Sequence, residues 1–346
     1  MEISGRRIGL GCPVYIVAEL SANHRHDINI AKATIKMAQE AGADAVKMQT
    51  YTPDTITIDC DNEYFQITQG TIWDGMTLYE LYKQAYTPYE WHGELFKYAR
   101  GLGITLFSTP FDNTAVDLLE ENDTPAYKIA SFEINDIPLI EYVASKKKPM
   151  IISTGIATKD EIEEALSACR RVGNNDIVLL KCTSAYPTPL THVNLRTMLD
   201  LRDRFGVEAG LSDHSLGNEV SVAAAALGAV MIERHVTLDQ DSGGPDAAFS
   251  LDARQFERLV SEIRNVQVAM GHTTYELSEC QKKSKEHSRS LFIVEDIKAG
   301  EVITATNVRS IRPWFGLHTR HYMDILGKKV NVDLKRGTPM RLEFID

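Results

Sequence analysis

The sequence predicts a (β/α)8 barrel, an α/β fold, followed by a small β-rich domain, and three observations carry that prediction. Eight short apolar stretches recur roughly every 23–30 residues through the first two-thirds of the chain, the length of a strand-plus-crossover unit. Helical patterns with one apolar face fill most of the intervals. Past Gly271 both signals stop, and short β-like pieces punctuated by Gly and Pro take over.

The strand candidates are YIVAEL (15–20), AVKMQT (45–50), ITLFST (104–109), AYKIAS (126–131), MIISTG (150–155), IVLLKCTS (177–184), VEAGLSD (207–213) and AVMIERH (229–235). DINIAKATIKMAQEAGA has apolar residues at helical spacing and ends on Gly. TKDEIEEALSACRRVG opens on a capping Thr and closes on Arg-Arg-Gly, which suits the helix dipole. LDARQFERLVSEIRNVQVAMG reads as a long amphipathic helix. The stretch from Tyr51 to Pro88 breaks the rhythm. It is too long for an ordinary loop and rich in aromatics, so an insertion over the strand C-termini, a lid or substrate wall, is expected. The barrel is assigned to residues 1–270, a polar linker to 271–289 and the β-rich domain to 290–346. Two turns of that domain, DIKAG (296–300) and DLKRG (333–337), resemble each other.

The chain has 346 residues, 43% hydrophobic and 25% charged, with a net charge of −11. That balance suits a globular protein and argues against general nucleic-acid binding, which needs a basic surface. An anionic small ligand is still compatible, because a pocket can be locally positive. The longest apolar run, Val220 to Ile232, is too short to span a bilayer. The stretch MEISGRRIGLGCPVY has no secretory h-region or cleavage signature, so no secretion is expected from it, and the five cysteines are scattered without a C-x-x-C pair. A cytoplasmic location with reduced thiols is expected, each Cys read as a small buried hydrophobe.

Active sites of such barrels collect at the C-terminal ends of the strands. In strand order those ends offer Glu19, Ser21, Asn23 and His24; Lys47 and Gln49; Ser108 and Thr109; Lys128, Ser131 and Glu133; Ser153 and Thr154; Thr183, Ser184 and Tyr186; Ser212, Asp213 and His214; Glu233 and His235. Lysines converging with hydroxyls suit a phosphate or a phosphorylated acid. Two histidines on adjacent strands suit a divalent cation with open positions, Mg²⁺, Mn²⁺, Co²⁺ or Zn²⁺. Nearby carboxylates suit proton transfer. Taken singly, a strand-end Lys is more often a barrel ion pair and a buried His more often structural; the convergence carries the reading. Arg234 and Lys181 alternate away from the lumen and read as packing or ion-pair residues.

At this point the motifs resemble those of the sialic acid synthase family, and within it the pseudaminic acid branch. The likeness runs through VAELSANH, DAVKMQTY, LFSTPFD, AYKIASFEI, ISTGIAT, KCTSAYPTP, LSDHSLG, IERHVT and GGPDAAFSLD. The tail, with DIKAGEVIT and SIRPW, looks like that family's antifreeze-like (SAF, β-clip) domain. The resemblance implies condensation of phosphoenolpyruvate with an N-acylated amino sugar in its aldehyde form, releasing phosphate. For this branch the sugar is 2,4-diacetamido-2,4,6-trideoxy-L-altrose; legionaminic or N-acetylneuraminic acid synthesis is the alternative. GTIWDGMTLYELYKQAYTPYEW and GGPDAAFSL carry the branch assignment, and the apolar loop suits a 6-deoxy, doubly acetamidated sugar.

Motif by motif, the resemblance implies that Lys47, Thr109, Lys128, Ser131, Ser153, Ser184 and Ser212 cradle phosphoenolpyruvate. Sialic acid synthases have Asn where this chain has Ser184. His214 and His235 look like ligands for Mn²⁺, Mg²⁺ or Co²⁺. Gln49, Tyr186, Asp246 and Arg312 look like sugar contacts, and Arg312 resembles a tail arginine that reaches a partner's active site in a domain-swapped homodimer. Glu133, then Glu19, are the candidates for proton transfer, with Lys128 stabilising charge. Two rival readings are a Schiff-base aldolase using Lys128 or Lys47 and a non-catalytic sugar-binding protein; the paired histidines count against both.

Overall fold

In a computed structural model the described residues are 1–346 except Gln69, Thr71, Ile72, Gly243 and Pro245. Eight parallel strands close into a barrel: β1 (Tyr15–Glu19), β2 (Ala45–Thr50), β3 (Thr105–Pro110), β4 (Tyr127–Ile129), β5 (Met150–Ser153), β6 (Ile177–Lys181), β7 (Glu208–Asp213) and β8 (Met231–His235), with β8 pairing back onto β1. Each strand candidate matches one of these, with ends shifted by a few residues. The helices α1 (Ile28–Glu40), α2 (Leu78–Ala85), α3 (His92–Leu102), α4 (Asn113–Glu121), α5 (Ile137–Ser145), α6 (Lys159–Arg171), α7 (Thr197–Phe205), α8 (Glu219–Ala226) and α9 (Ala253–Met270) follow in order. Their starts are written in the sequence. Thr77, Thr158 and Asp252 close capping boxes on α2, α6 and α9, satisfying backbone N–H groups that a helix start leaves open.

Alternation along the strands sorts two cores. Ile16 and Ala18 of β1, Val46 and Met48 of β2 and Ile232 of β8 face the helices and join the larger apolar cluster. Tyr15, Val17, Ala45, Phe107, Ile151, Val178, Leu180 and Met231 face the lumen and fill its lower part, plugged by Ile3 and Ile8 from the N-terminal segment. The same inward face carries Glu19, Lys47, Lys128, Ser153, Ser212, Glu233 and His235 one or two layers higher. Period-two geometry therefore stacks a polar layer on an apolar plug. The insertion between β2 and α3 contains a short helix (Pro53–Ile56) and α2.

The chain divides into two compact units, Met1–Gly271 and His272–Asp346. In the second, β9 (Ser290–Ile293) pairs antiparallel with β10 (Val308–Ile311) over a core of Leu291, Ile293, Ile297, Val308, Val330 and Met340. The two similar turns bind each other reciprocally. Asp296 accepts from Lys335 Nζ (2.7 Å) and the Arg336 N–H (2.8 Å), while Asp333 accepts from Lys298 Nζ (2.7 Å) and the Ala299 N–H (2.9 Å). The polar stretch read as a linker holds a helix, Glu279–Lys285, capped by Ser278. Among the described residues no helix is long and apolar enough to cross a membrane.

Candidate active site

A cavity of about 720 Å³ opens at the C-terminal ends of the barrel strands. Its floor is polar: Lys47, Gln49, Lys128, Ser131, Glu133, Ser153, Ser184, Tyr186, Ser212, His214, Glu233, His235 and Asp246 all line it. One wall is apolar and comes from the insertion (Ile56, Ile67, Leu78, Leu81, Tyr82 and Ala85) and from Phe111, the residue after β3. The expected lid or wall is therefore present. Part of the aromatic motif (Thr71, Ile72) and of GGPDAAF (Gly243, Pro245) lies outside the described residues.

Two lysines anchor the floor. Lys47 Nζ stands 2.7 Å from Glu19 Oε2 and 3.2 Å from Glu233 Oε1. Ser212 Oγ donates to the same Glu233 oxygen at 2.9 Å. Burial would raise both carboxyls, but the partners divide them. Burial lifts Glu19 to about 7 despite Lys47. Glu233 is also desolvated, yet Lys47 and Lys128 hold it down at about 2. Glu19 itself does not line the cavity; it lies fully buried beneath it and acts on it through Lys47. Thr109 is likewise buried just outside the lining.

Lys128 Nζ donates to Ser153 Oγ at 2.6 Å and to the Ile129 carbonyl at 3.1 Å. Burial and then Lys47 lower it to about 8. The Gly155 N–H donates to Ser131 Oγ at 3.0 Å. A Cβ on Gly155 would stand 2.3 Å from Ser184 Oγ and 2.6 Å from Ser131 Oγ, so only glycine leaves the cradle its room. Glu133, on the turn after β4, is pushed up to about 7 by burial against the pull of Lys128.

The two histidines meet with ring centroids 5.1 Å apart. Tyr186 packs on His214 at 4.4 Å, and Phe249 on His235 at 5.2 Å. Burial, His214 and Lys47 push the His235 pKa well below its ordinary value. His235 Nδ1 is buried with no hydrogen-bond partner and stands 3.7 Å from Asp246 Oδ2. Among the described residues no set of three His, Cys, Asp or Glu side chains is arranged to hold a metal. Two imidazoles this close could by themselves supply two nitrogen ligands to a cation.

Thr109 Oγ1, Glu133 Oε2 and Glu233 Oε2 are also buried without a protein hydrogen-bond partner. Buried polar atoms are normally paired, and Glu133 and Glu233 line the cavity, so their open oxygens mark a place for a polar ligand.

Sequence reasoning placed most of this lining. Arg312 lies in the second unit, at a cis bond to Pro313. Glu233 was visible at its strand end but had no assigned role; its spacing of two from His235 on one strand already put both on one face. Cys182 is more than a buried hydrophobe. It lines the cavity with Sγ 3.8 Å from His214 Nδ1, and although burial raises thiols, His214 and Lys128 bring it to about 7. His24 turns away from the cavity, its Nε2 3.2 Å from Thr87 Oγ1 and its ring edge-on to Trp91. Arg234 does face away from the lumen, ion-paired to Asp213 at 2.6 Å.

Lysines, hydroxyls and imidazoles converging at the strand C-termini of a closed parallel barrel place the chain in the class of barrel enzymes, with a floor that suits a small anion. The chain belongs to the NeuB family, whose model matches residues 34–275, and a SAF domain model matches residues 288–345. It is 47% identical to a pseudaminic acid synthase of Helicobacter pylori over 96% of this chain and 98% of that one. It is 45% identical to a pseudaminic acid synthase of Campylobacter jejuni over 95% of both. Among solved structures, the N-acetylneuraminic acid synthetase of Leptospira borgpetersenii aligns with TM-score 0.72 and 30% identity over 82% of this chain and 94% of that one.

Proposed function

We propose that this enzyme condenses phosphoenolpyruvate with 2,4-diacetamido-2,4,6-trideoxy-L-altrose to give pseudaminic acid and phosphate. The observation that carries the reading is the cavity's division: a floor of lysines, hydroxyls and imidazoles faces a wall of aliphatic and aromatic side chains. The floor suits a phosphorylated acid meeting an aldehyde, and the wall suits a sugar ending in methyl groups.

Lys47 and Lys128 hold the anionic ends of phosphoenolpyruvate, with the hydroxyls of Ser131, Ser153, Ser184 and Ser212 around it, while Thr109, buried outside the lining, makes no direct contact. Gln49, Tyr186 and Asp246 orient the sugar so that its aldehyde lies beside His214 and His235. His214 and His235 would hold a divalent cation, Mn²⁺, Mg²⁺ or Co²⁺, which when bound would supply Lewis acidity to the aldehyde. The enol carbon C3 forms a bond to the aldehyde carbon as the aldehyde C=O π bond breaks and its oxygen takes up a proton, leaving positive charge at C2. Water adds at C2, its proton passing to Glu133 or, as second choice, Glu19. The C2–O bond to phosphate then breaks, the bonding pair leaves with phosphate, its charge stabilised by the lysines, and the C2 hydroxyl gives up its proton to become the keto group.

The test is phosphate release from phosphoenolpyruvate with each of three sugars, with and without chelator. The altrose sugar, its manno counterpart and N-acetylmannosamine form the panel. Release only with the altrose sugar, abolished by chelator and restored by Mn²⁺, is the expected result. Release with another sugar keeps the chemistry and discards the reading of the apolar wall. No release with any sugar in added metal discards the condensation.

Gly155→Ala tests the cradle. The added methyl meets two serine hydroxyls, so the KM for phosphoenolpyruvate should rise about tenfold or more, about 1.4 kcal/mol, with the sugar's KM little changed. Equal KM values for variant and wild type would place phosphoenolpyruvate elsewhere.

The proposal includes a homodimer in which Arg312 of the partner subunit reaches the sugar. Mixing inactive Arg312→Ala and His235→Ala chains should then restore part of the activity, as one site of each mixed dimer is whole. No recovery after subunit exchange would leave each chain acting alone. A cytoplasmic location suits the five free thiols.

A further inference from the structure

We infer that the buried Arg234–Asp213 pair is a positioning clasp that sets the spacing of His214 and His235 for their metal. The inference rests on the two-histidine reading above. Register shows why a clasp is needed. In the β7–β8 ladder the last pair is Asp213 with Arg234. The two histidines come one residue later, beyond that pairing. Their carbonyls bond elsewhere: His214 O accepts from the Thr188 N–H at 3.0 Å, and His235 O from the Leu251 N–H at 2.9 Å. Backbone pairing between β7 and β8 therefore no longer holds the histidines together.

Side chains take over on the outer face. Arg234 Nη1 donates to Asp213 Oδ2 at 2.6 Å, and Nη2 donates to the Ser215 carbonyl at 2.9 Å. One guanidinium, on the residue before His235, thus grips the residues on both sides of His214. Asp213 is held in turn. Its Oδ2 also accepts from Ser221 Oγ of α8 at 2.6 Å, and its Oδ1 from the Ser215 N–H at 2.9 Å and Oγ at 2.6 Å. Arg234 is 1% exposed and Asp213 4%.

Neither group can reach substrate or metal, because both alternate away from the lumen. Stability alone is a weak reason for such a pair, since well-packed apolar residues often replace a buried ion pair without loss. Geometry is the better reason. A planar fork reaches two acceptors in fixed directions, which a lysine cannot do. Supporting groups of this kind typically change metal affinity by about 10–100-fold when altered.

The experiment is calorimetric titration of Mn²⁺ into metal-free full-length protein, with phosphoenolpyruvate binding in chelator and the thermal midpoint measured alongside. Wild type, Arg234→Lys, Arg234→Met/Asp213→Leu and His235→Ala are compared. Arg234→Lys should weaken Mn²⁺ about 10–100-fold while phosphoenolpyruvate binding stays within about twofold. The double variant removes both charges together, so it keeps the test open should the single one fail to fold; it too should bind Mn²⁺ weakly. A purely structural role would lower the midpoint without this selective loss. Folded variants that bind Mn²⁺ like wild type overturn the clasp and leave the two-histidine site standing. Wild type and His235→Ala binding Mn²⁺ equally overturns the two-histidine site itself, and the clasp with it.

Discussion

Glu133→Gln is expected to lower kcat by about 10²–10⁴-fold, the range for loss of a positioned acid–base group, while the KM for phosphoenolpyruvate changes little. The carboxyl lines the cavity, and its Oε2 has no protein hydrogen-bond partner. Burial pushes it up to about 7, with Lys128 opposing. A base works only unprotonated. So kcat/KM of the wild type should rise with pH up to about 7 and level off above, and this acid limb should vanish in the residual activity of Glu133→Gln. Glu19 also lies near 7 by burial, so the pH profile alone does not tell the two apart. The variants do. Glu19→Gln should keep the limb and most of kcat. If instead the limb survives in Glu133→Gln and disappears in Glu19→Gln, the water's proton goes to Glu19 through the Lys47 layer.

Most of the barrel was legible because local pattern and global position coincide in it. AVKMQT alternates apolar and polar side chains over one strand, and the inward set ends in Lys47 and Gln49 at the cavity. The same counting put Arg234 outside and His235 inside. What stayed hidden depends on pairings between distant segments. Glu19 and Glu233 share Lys47 only because β8 closes the barrel onto β1. Nothing local to Glu233 announces that partner. His24 and His214 look alike as strand-end histidines, but the turn after β1 carries His24 round to Trp91. The helix Glu279–Lys285 was read as linker because all its residues are exposed and it has no apolar stripe for periodicity to detect.

Lys47→Met should lose both phosphoenolpyruvate binding and a large share of stability, and pH separates the two losses. Removing the lysine leaves Glu19 and Glu233 buried without their shared cation, a defect of about 3–5 kcal/mol when both are charged. In the wild type the two carboxyls pull stability in opposite directions. Glu233, held at about 2, contributes stability that is full above its ordinary range and lost as pH falls through that value. Glu19, lifted to about 7, favours the folded state most at low pH and loses that contribution as pH rises through 7. Without Lys47 both carboxyls should be raised, so both penalise folding as pH rises. The variant should therefore approach wild-type stability near pH 5 and fall furthest behind near pH 8, measured by urea unfolding at each pH. Lys47→Met/Glu233→Gln should regain much of the stability and none of the phosphoenolpyruvate affinity. Equal stability deficits at both pH values would mean that the carboxylates take their compensation from Lys128 instead. Normal phosphoenolpyruvate binding by the double variant would remove Lys47 from the cradle and leave it the keystone of a buried ion network alone.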